Sequence, residues 1–242
     1  MGSSGTIAAG DRLKQVHPHC RVVGVEPIQC PTLYENGYGE HDIQGIGDKH
    51  VTWIHNTQNM DALVCVDDMD CKRGLWLLND ATARDLLAAE LHLDAMQVKE
   101  LGATFGISGI CNVLAAIKVA KYYRLGEQDV VVTMATDSVS RYHSVLDELQ
   151  RVEGKMTKSR AEALLRRIFH GVTLDYVQEG SQENRRRWHN LKYYTWVEQQ
   201  GKSVGELDAQ RKQSYWTAEQ QTTTAVDAQL RRARRGDVKV GA

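Results

Sequence analysis

Three short runs of β-branched residues, separated by stretches of helical periodicity, constrain this chain more than any other feature. They are Arg21-Val-Val-Gly-Val-Glu26, Ala62-Leu-Val-Cys-Val66 and Asp129-Val-Val-Val-Thr-Met134. A parallel strand covered on both faces reads as a continuous apolar run and not as an alternation. Ile7, Leu13 and Val16 share one helical face, and Asp67-Asp68 can cap a helix starting near Met69. Residues 82–101 read as one amphipathic helix through Leu86, Leu87, Leu91 and Leu93. Phe105-Gly-Ile-Ser108 is a brief strand or turn, and residues 110–123 form a helix apolar enough to pack on a sheet. This alternation predicts an α/β fold with an open parallel sheet over residues 1–150.

The pattern changes beyond Leu149, where charged helical segments are expected at roughly 158–170, 183–200, 203–213 and 216–235. Pro18, Pro27 and Pro31 are the only prolines, so the later chain lacks the strongest helix breaker. Two units follow, an α/β domain over 1–150 and a helical C-terminal extension over 151–242. The formal charge of -1 conceals halves of -8 and +7. Such asymmetry fits a basic arm for nucleic acid, or two oppositely charged faces that meet within a protomer or between subunits. Five cysteines without a CxxC pair suggest reduced thiols. With no apolar stretch near the roughly 20 residues a bilayer requires, and no secretory signal at the start, a soluble cytoplasmic protein is expected. Cys65, Cys71 and the nine histidines match no metal-ligand spacing.

Three segments have residue types suited to chemistry. Gly2-Ser-Ser-Gly-Thr6 precedes a helix, and small residues at a helix start suit a phosphate; the same residues also suit a frayed terminus. Residues 27–50, rich in Gly, Tyr, Asn and Pro, are too long for an ordinary connection. Ala135-Thr-Asp-Ser-Val-Ser140 is a polar turn after a predicted strand, the end of an α/β sheet at which ligands bind.

Taken in order, four motifs resemble those of the fold-type II pyridoxal-phosphate enzymes, in the cysteine synthase and cystathionine β-synthase branch. The first is Gly2-Ser-Ser-Gly-Thr6 with the helix and the Gly24-Val-Glu-Pro27 strand end that follow it, which together resemble the family's Gly-Thr-Gly-Gly-Thr loop leading into a helix and a strand ending Gly-Val-Glu-Pro. His41-Asp-Ile-Gln-Gly-Ile-Gly47 matches a His-x-Ile-Gln-Gly-Ile-Gly turn. Gly106-Ile-Ser-Gly-Ile-Cys111 approximates Gly-Ile-Ser-Ser-Gly-Ala, with Gly109 in place of the second serine. Ser138 and Arg141-Tyr142 align with Ser-Gly-Glu-Arg-Tyr, whereas Val139 and Ser140 depart from it. The resemblance covers residues 2 to about 149 and implies the three-layer open parallel sheet of that class.

The resemblance further implies that Gly2, Ser3, Ser4, Gly5 and Thr6 cradle the 5′-phosphate of pyridoxal 5′-phosphate, and that the Ser138 hydroxyl bonds the pyridine nitrogen. A neutral partner at that nitrogen suits β-elimination and β-replacement. Gly45 and Gly47 match the turn beside cofactor and substrate. The family's Schiff-base lysine segment and substrate-carboxylate loop lie upstream of its phosphate loop. None of Lys14, Lys49, Lys72, Lys99, Lys118 and Lys121 has a comparable context, so no catalytic residue is assigned. The chain is expected to be the C-terminal part of such an enzyme, from a truncated gene model, a split gene or a decayed fragment, and inactive by itself.

The implied activity is a lyase or synthase of sulfur amino acids, acting on an amino-acid substrate, homodimeric when full-length and unconnected with membranes. Trp188 to Gln200 resembles the extension of a subgroup that includes L-cysteine desulfhydrases, which favours that reaction. Trp188, Tyr193, Tyr194 and Trp196 are expected to cover the acidic domain or a subunit interface, so nucleic-acid binding is not the preferred reading. The alternative is a non-catalytic interaction module working through the basic tail.

Overall fold

The computed structural model describes residues 5–46 and 49–235. Helix α1 (Gly5–Val16) leads to strand β1 (Val23–Pro27) and a single turn α2 (Thr32–Glu35). Strand β2 (Ala62–Val66) is followed by α3 (Asp68–Asn79), α4 (Ala81–Leu91), α5 (Ala95–Thr104) and α6 (Ile107–Tyr123). Then come α7 (His143–Glu153), α8 (Lys158–Leu165), β3 (Val177–Glu179), α9 (Gln182–Asn190), α10 (Val204–Ala209) and α11 (Gln213–Arg234). The α/β class expected from the sequence is the class observed.

β1 and β2 pair in parallel, with Val23 opposite Ala62 and Pro27 opposite Val66. Every residue of β2 is buried, as its unbroken apolar run requires. Its side chains alternate between two cores. Val64 and Val66 join Ile43, Leu75, Leu77, Ile107, Ile110 and Leu114 on one face. Leu63 joins Leu33, Val51, Met60 and Trp188 on the other. The third strand is antiparallel, Val64 opposite Val177, and comes from the region read as wholly helical. Met156, Ala161, Leu164, Leu165 and Ile168 share the first core with residues from the front of the chain.

The second difference concerns residues 129–134, the clearest strand in the sequence, which form no strand. Val130 is 84% exposed and Val132 78%. β-branching favours an extended backbone, but a strand also requires a neighbour's N–H and C=O groups. Among the described residues the sheet has three strands, and none lies beside this segment. A side-chain bond anchors its end, Asn112 Nδ2 donating to the Met134 carbonyl at 2.9 Å.

The single helix expected over 82–101 is two. His92 adopts a left-handed conformation (φ 54°) that ends α4. Asp94 then starts α5 in a capping box, accepting from Met96 N and Gln97 N while Gln97 bonds back to the Asp94 backbone. Asp67 caps α3 as the sequence suggests, accepting from Asp70 N at 3.0 Å. All five cysteines are free. No single helix among the described residues is long and apolar enough to cross a membrane.

The acidic and basic halves meet inside the chain, through Arg167–Asp70 at 3.0 Å and Arg185–Asp61 at 3.3 Å. Trp188 is buried and donates to Gln178 Oε1. Trp196 donates to the Val51 carbonyl and lies against Trp53. These two tryptophans pack on residues from the front of the chain, whereas Tyr193 and Tyr194 face solvent.

Candidate functional site

α1 is held by its middle and not by its start. Gly10 touches Val22, where an added Cβ would come to 3.0 Å of Cγ1. Buried Asp11 accepts from the side chains of Asn56 and Asn59, and Lys14 pairs with Asp61 at 2.6 Å. Burial raises the Asp11 pKa against the opposing pull of those two amides and Lys14. Gly5 and Thr6, in the first turn, are exposed, with nothing within 4 Å of a Cβ added at Gly5. The other residues expected at the phosphate, Gly2, Ser3 and Ser4, lie outside the described residues, as does Gly47.

The turn after His41 is built around buried Ile43, whose N–H donates to His41 Nδ1 at 3.2 Å. Asp42 N–H donates to Asp68 Oδ2, and the Asp42 carboxylate pairs with Lys72 at 2.7 Å. Burial lowers the His41 pKa, the direction that favours a ring nitrogen accepting from Ile43. Gly45 has φ 92°, a conformation that side chains disfavour, and a Cβ added there would come to 3.6 Å of Ser108 Oγ.

Ser108 belongs to the first turn of α6 and is 1% exposed. Its hydroxyl lies 2.6 Å from Thr136 Oγ1. Cys111 is buried one turn further on, as a packing residue would be. The loop carrying Thr136 and Asp137 folds over the start of α6, and Tyr142 Oη donates to Asp137 Oδ2 at 2.5 Å. Burial first, and the adjacent Asp137 carboxylate second, push the Tyr142 phenol up to about 12. Ser138 starts the 3₁₀ turn Val139–Arg141, with its Oγ 2.7 Å from Ser140 Oγ.

Three of the four sequence motifs thus converge: the Gly45 turn, the start of α6, and the loop from Thr136 to Tyr142. Among the described residues no hydrogen bond joins Gly5 or Thr6 to them. Thr136, Asp137 and Tyr142 were not expected as site residues, because the motif alignment selects Ser138; the carboxylate beside it was the available signal. Lys14, Lys118 and Lys121 are occupied elsewhere, and Lys72 is held by Asp42 in the Gly45 turn. Lys118 donates to the Cys65 and Asp175 carbonyls, and Lys121 to those of His170 and Val172. No group of three His, Cys, Asp or Glu residues suited to a metal occurs among the described residues.

Two separate features suit the groups of pyridoxal 5′-phosphate. The open first turn of a 12-residue helix offers unblocked N–H groups to a phosphate. The turn at Ser138 presents a neutral, half-buried hydroxyl whose side-chain partner is Ser140.

No family model matches the chain. Over 145 residues it is 32% identical to cysteine synthase B of Campylobacter jejuni, covering 60% of this chain and 41% of that protein. It is 29% identical over 145 residues to a cysteine synthase of Staphylococcus aureus, covering 40% of it. It is 28% identical to O-ureido-L-serine synthase of Streptomyces lavendulae, covering 38%. Among solved structures, a hydrogen sulfide-producing enzyme from Fusobacterium nucleatum is 22% identical with a TM-score of 0.47, over 67% of this chain and 42% of that one. Over 145 of its 242 residues, therefore, the chain is similar to the cysteine synthases, which are pyridoxal-phosphate enzymes, and it spans about two fifths of the length of the curated relatives it matches.

Proposed function

We propose that the chain serves a pyridoxal-phosphate-dependent lyase or synthase of sulfur amino acids, acting on cysteine or O-acetylserine by β-elimination or β-replacement. The observation that carries this reading is the convergence of Gly45, Ser108 and the Thr136–Tyr142 loop, three motifs far apart in sequence. L-cysteine desulfhydration to sulfide, ammonia and pyruvate is the favoured reaction, supported by the resemblance of the extension from Trp188 to Gln200. The complete enzyme is proposed to be a cytoplasmic homodimer, with residues 1–150 holding the cofactor and 151–242 covering them.

Gly5 and Thr6, with Gly2, Ser3 and Ser4, hold the phosphate at the start of α1, where the helix dipole favours an anion. The Ser138 hydroxyl meets the pyridine nitrogen. Gly45 and Gly47 leave room for cofactor and substrate because they carry no side chain. When bound, the cofactor supplies an electron sink that lets a β-substituent leave. The isolated chain is proposed to bind the cofactor non-covalently and without turnover, because Lys14, Lys118 and Lys121 are tied away from the cluster and Lys72 is held on the Asp42 carboxylate.

Equilibrium dialysis with pyridoxal 5′-phosphate tests this reading. Saturable binding is expected, weakened about tenfold in Ser138→Ala or Thr6→Ala, the effect of one lost hydrogen bond. Binding that these variants leave unchanged would refute the site. A borohydride-trapped lysine adduct, or sulfide released from cysteine by the chain alone, would refute its inactivity. The second reading, an interaction module, is supported by α11, which is exposed except at its start and ends in Arg231, Arg232 and Arg234. Steeply salt-dependent retention on DNA would favour it.

A further inference from the structure

Asp137, one residue before Ser138, bonds the side chains of two residues in the cluster. Its Oδ2 accepts from the Tyr142 phenol at 2.5 Å and its Oδ1 from the Thr136 hydroxyl at 3.5 Å. The same carboxylate lies against Gly106, where an added Cβ would come within 2.2 Å of Oδ1 and 2.5 Å of Tyr142 Cε2. Through Thr136 the chain of contacts continues to Ser108 Oγ and so to Gly45. Ser138, by contrast, bonds through its side chain, among the described residues, to Ser140 within its own turn.

We infer that Asp137 is a positioning residue: by holding Tyr142 after the Ser138 turn and Thr136 before it, against the start of α6, it sets where the Ser138 hydroxyl stands relative to Gly45. The inference rests on the proposed role of Ser138 at the pyridine nitrogen. The phenol stays protonated up to about pH 12, so the grip persists across the physiological range. The grip also explains why position 106 is glycine. Any side chain there would push the Asp137 carboxylate off the helix start.

The test titrates the full chain with pyridoxal 5′-phosphate, following quenching of tryptophan fluorescence. Asp137→Ala and Tyr142→Phe should each weaken binding about tenfold, and the double variant no more than either alone, because both remove one grip. Asp137→Asn should restore binding to within about threefold of the parent, since its Oδ1 still accepts from the phenol. If Asp137→Asn binds as poorly as Asp137→Ala, the charge meets the cofactor directly and positioning is overturned. Parent-like binding by Asp137→Ala and Tyr142→Phe would also overturn it. Should Asp137→Ala fail to fold, Tyr142→Phe and Asp137→Asn carry the comparison. Loss of the grip is read separately as a fall in the pH at which Tyr142 ionises, by near-ultraviolet absorbance. A parent chain that binds no cofactor while Asp137→Ala still lowers that pH would sink the functional reading and the role of Ser138, with the grip left intact as a structural contact.

Discussion

Lys192 is 0% exposed, and its ammonium donates to the Trp53 carbonyl at 2.9 Å, the His55 carbonyl at 2.6 Å and Gln210 Oε1 at 2.6 Å. None of these acceptors carries a charge, and burial lowers the amine from 10.5 to about 7. The unfolded chain therefore holds more protons than the folded one between about pH 7 and pH 10.5, and stability rises with pH across that window. The full difference is worth at most about 5 kcal/mol, with a slope no steeper than about 1.4 kcal/mol per pH unit. The three oxygen acceptors favour the ammonium and reduce this. Buried His55 and His189, lowered to about 3 and about 4, contribute below pH 6.5, and Cys65, raised to about 12 by burial, opposes stability above pH 9. Between pH 7 and pH 9 Lys192 dominates, with an expected gain of about 2 kcal/mol. Urea unfolding of the parent and Lys192→Met, followed by circular dichroism at half-unit pH steps, isolates it. The parent should gain stability across the window, while the variant stays flat. Parallel profiles would refute the claim that the ammonium is buried without a counter-charge.

Three further outcomes follow from the packing. Gly106→Ala places a methyl group 2.2 Å from Asp137 Oδ1 and should reduce cofactor binding in dialysis by more than tenfold, an effect that an unchanged affinity would contradict. Val130→Thr and Val132→Thr should each change urea stability by less than about 0.5 kcal/mol, because both valines face solvent; a loss above about 1 kcal/mol would mean that they sit in a sheet. Trp188→Ala empties the core beneath β2 and should cost about 3–5 kcal/mol in the same assay.

What the sequence determined by itself is local. β2 was legible because an unbroken apolar run has a single reading wherever both faces are covered. The start of α3 was legible because an aspartate ahead of a helical pattern satisfies orphan N–H groups without outside help. The break at residues 92–94 was equally local, written in the Asp94-x-x-Gln97 capping box, but leucines at helical spacing on either side masked it. Tertiary structure decided the rest. Residues 129–134 have the composition of a strand, yet a strand is completed by its neighbour's backbone, and none lies alongside. β3, three residues between helical segments, has too little pattern to be seen alone and exists because β2 has an edge to pair with. The same holds at the site. The motifs named Gly45 and Ser138, but which side chain grips the helix start depends on the 2.5 Å contact between Asp137 and Tyr142 and on the missing Cβ of Gly106. Hydrogen bonds between loops are set by how the elements dock, and docking is a property of the whole packed core and not of any one segment.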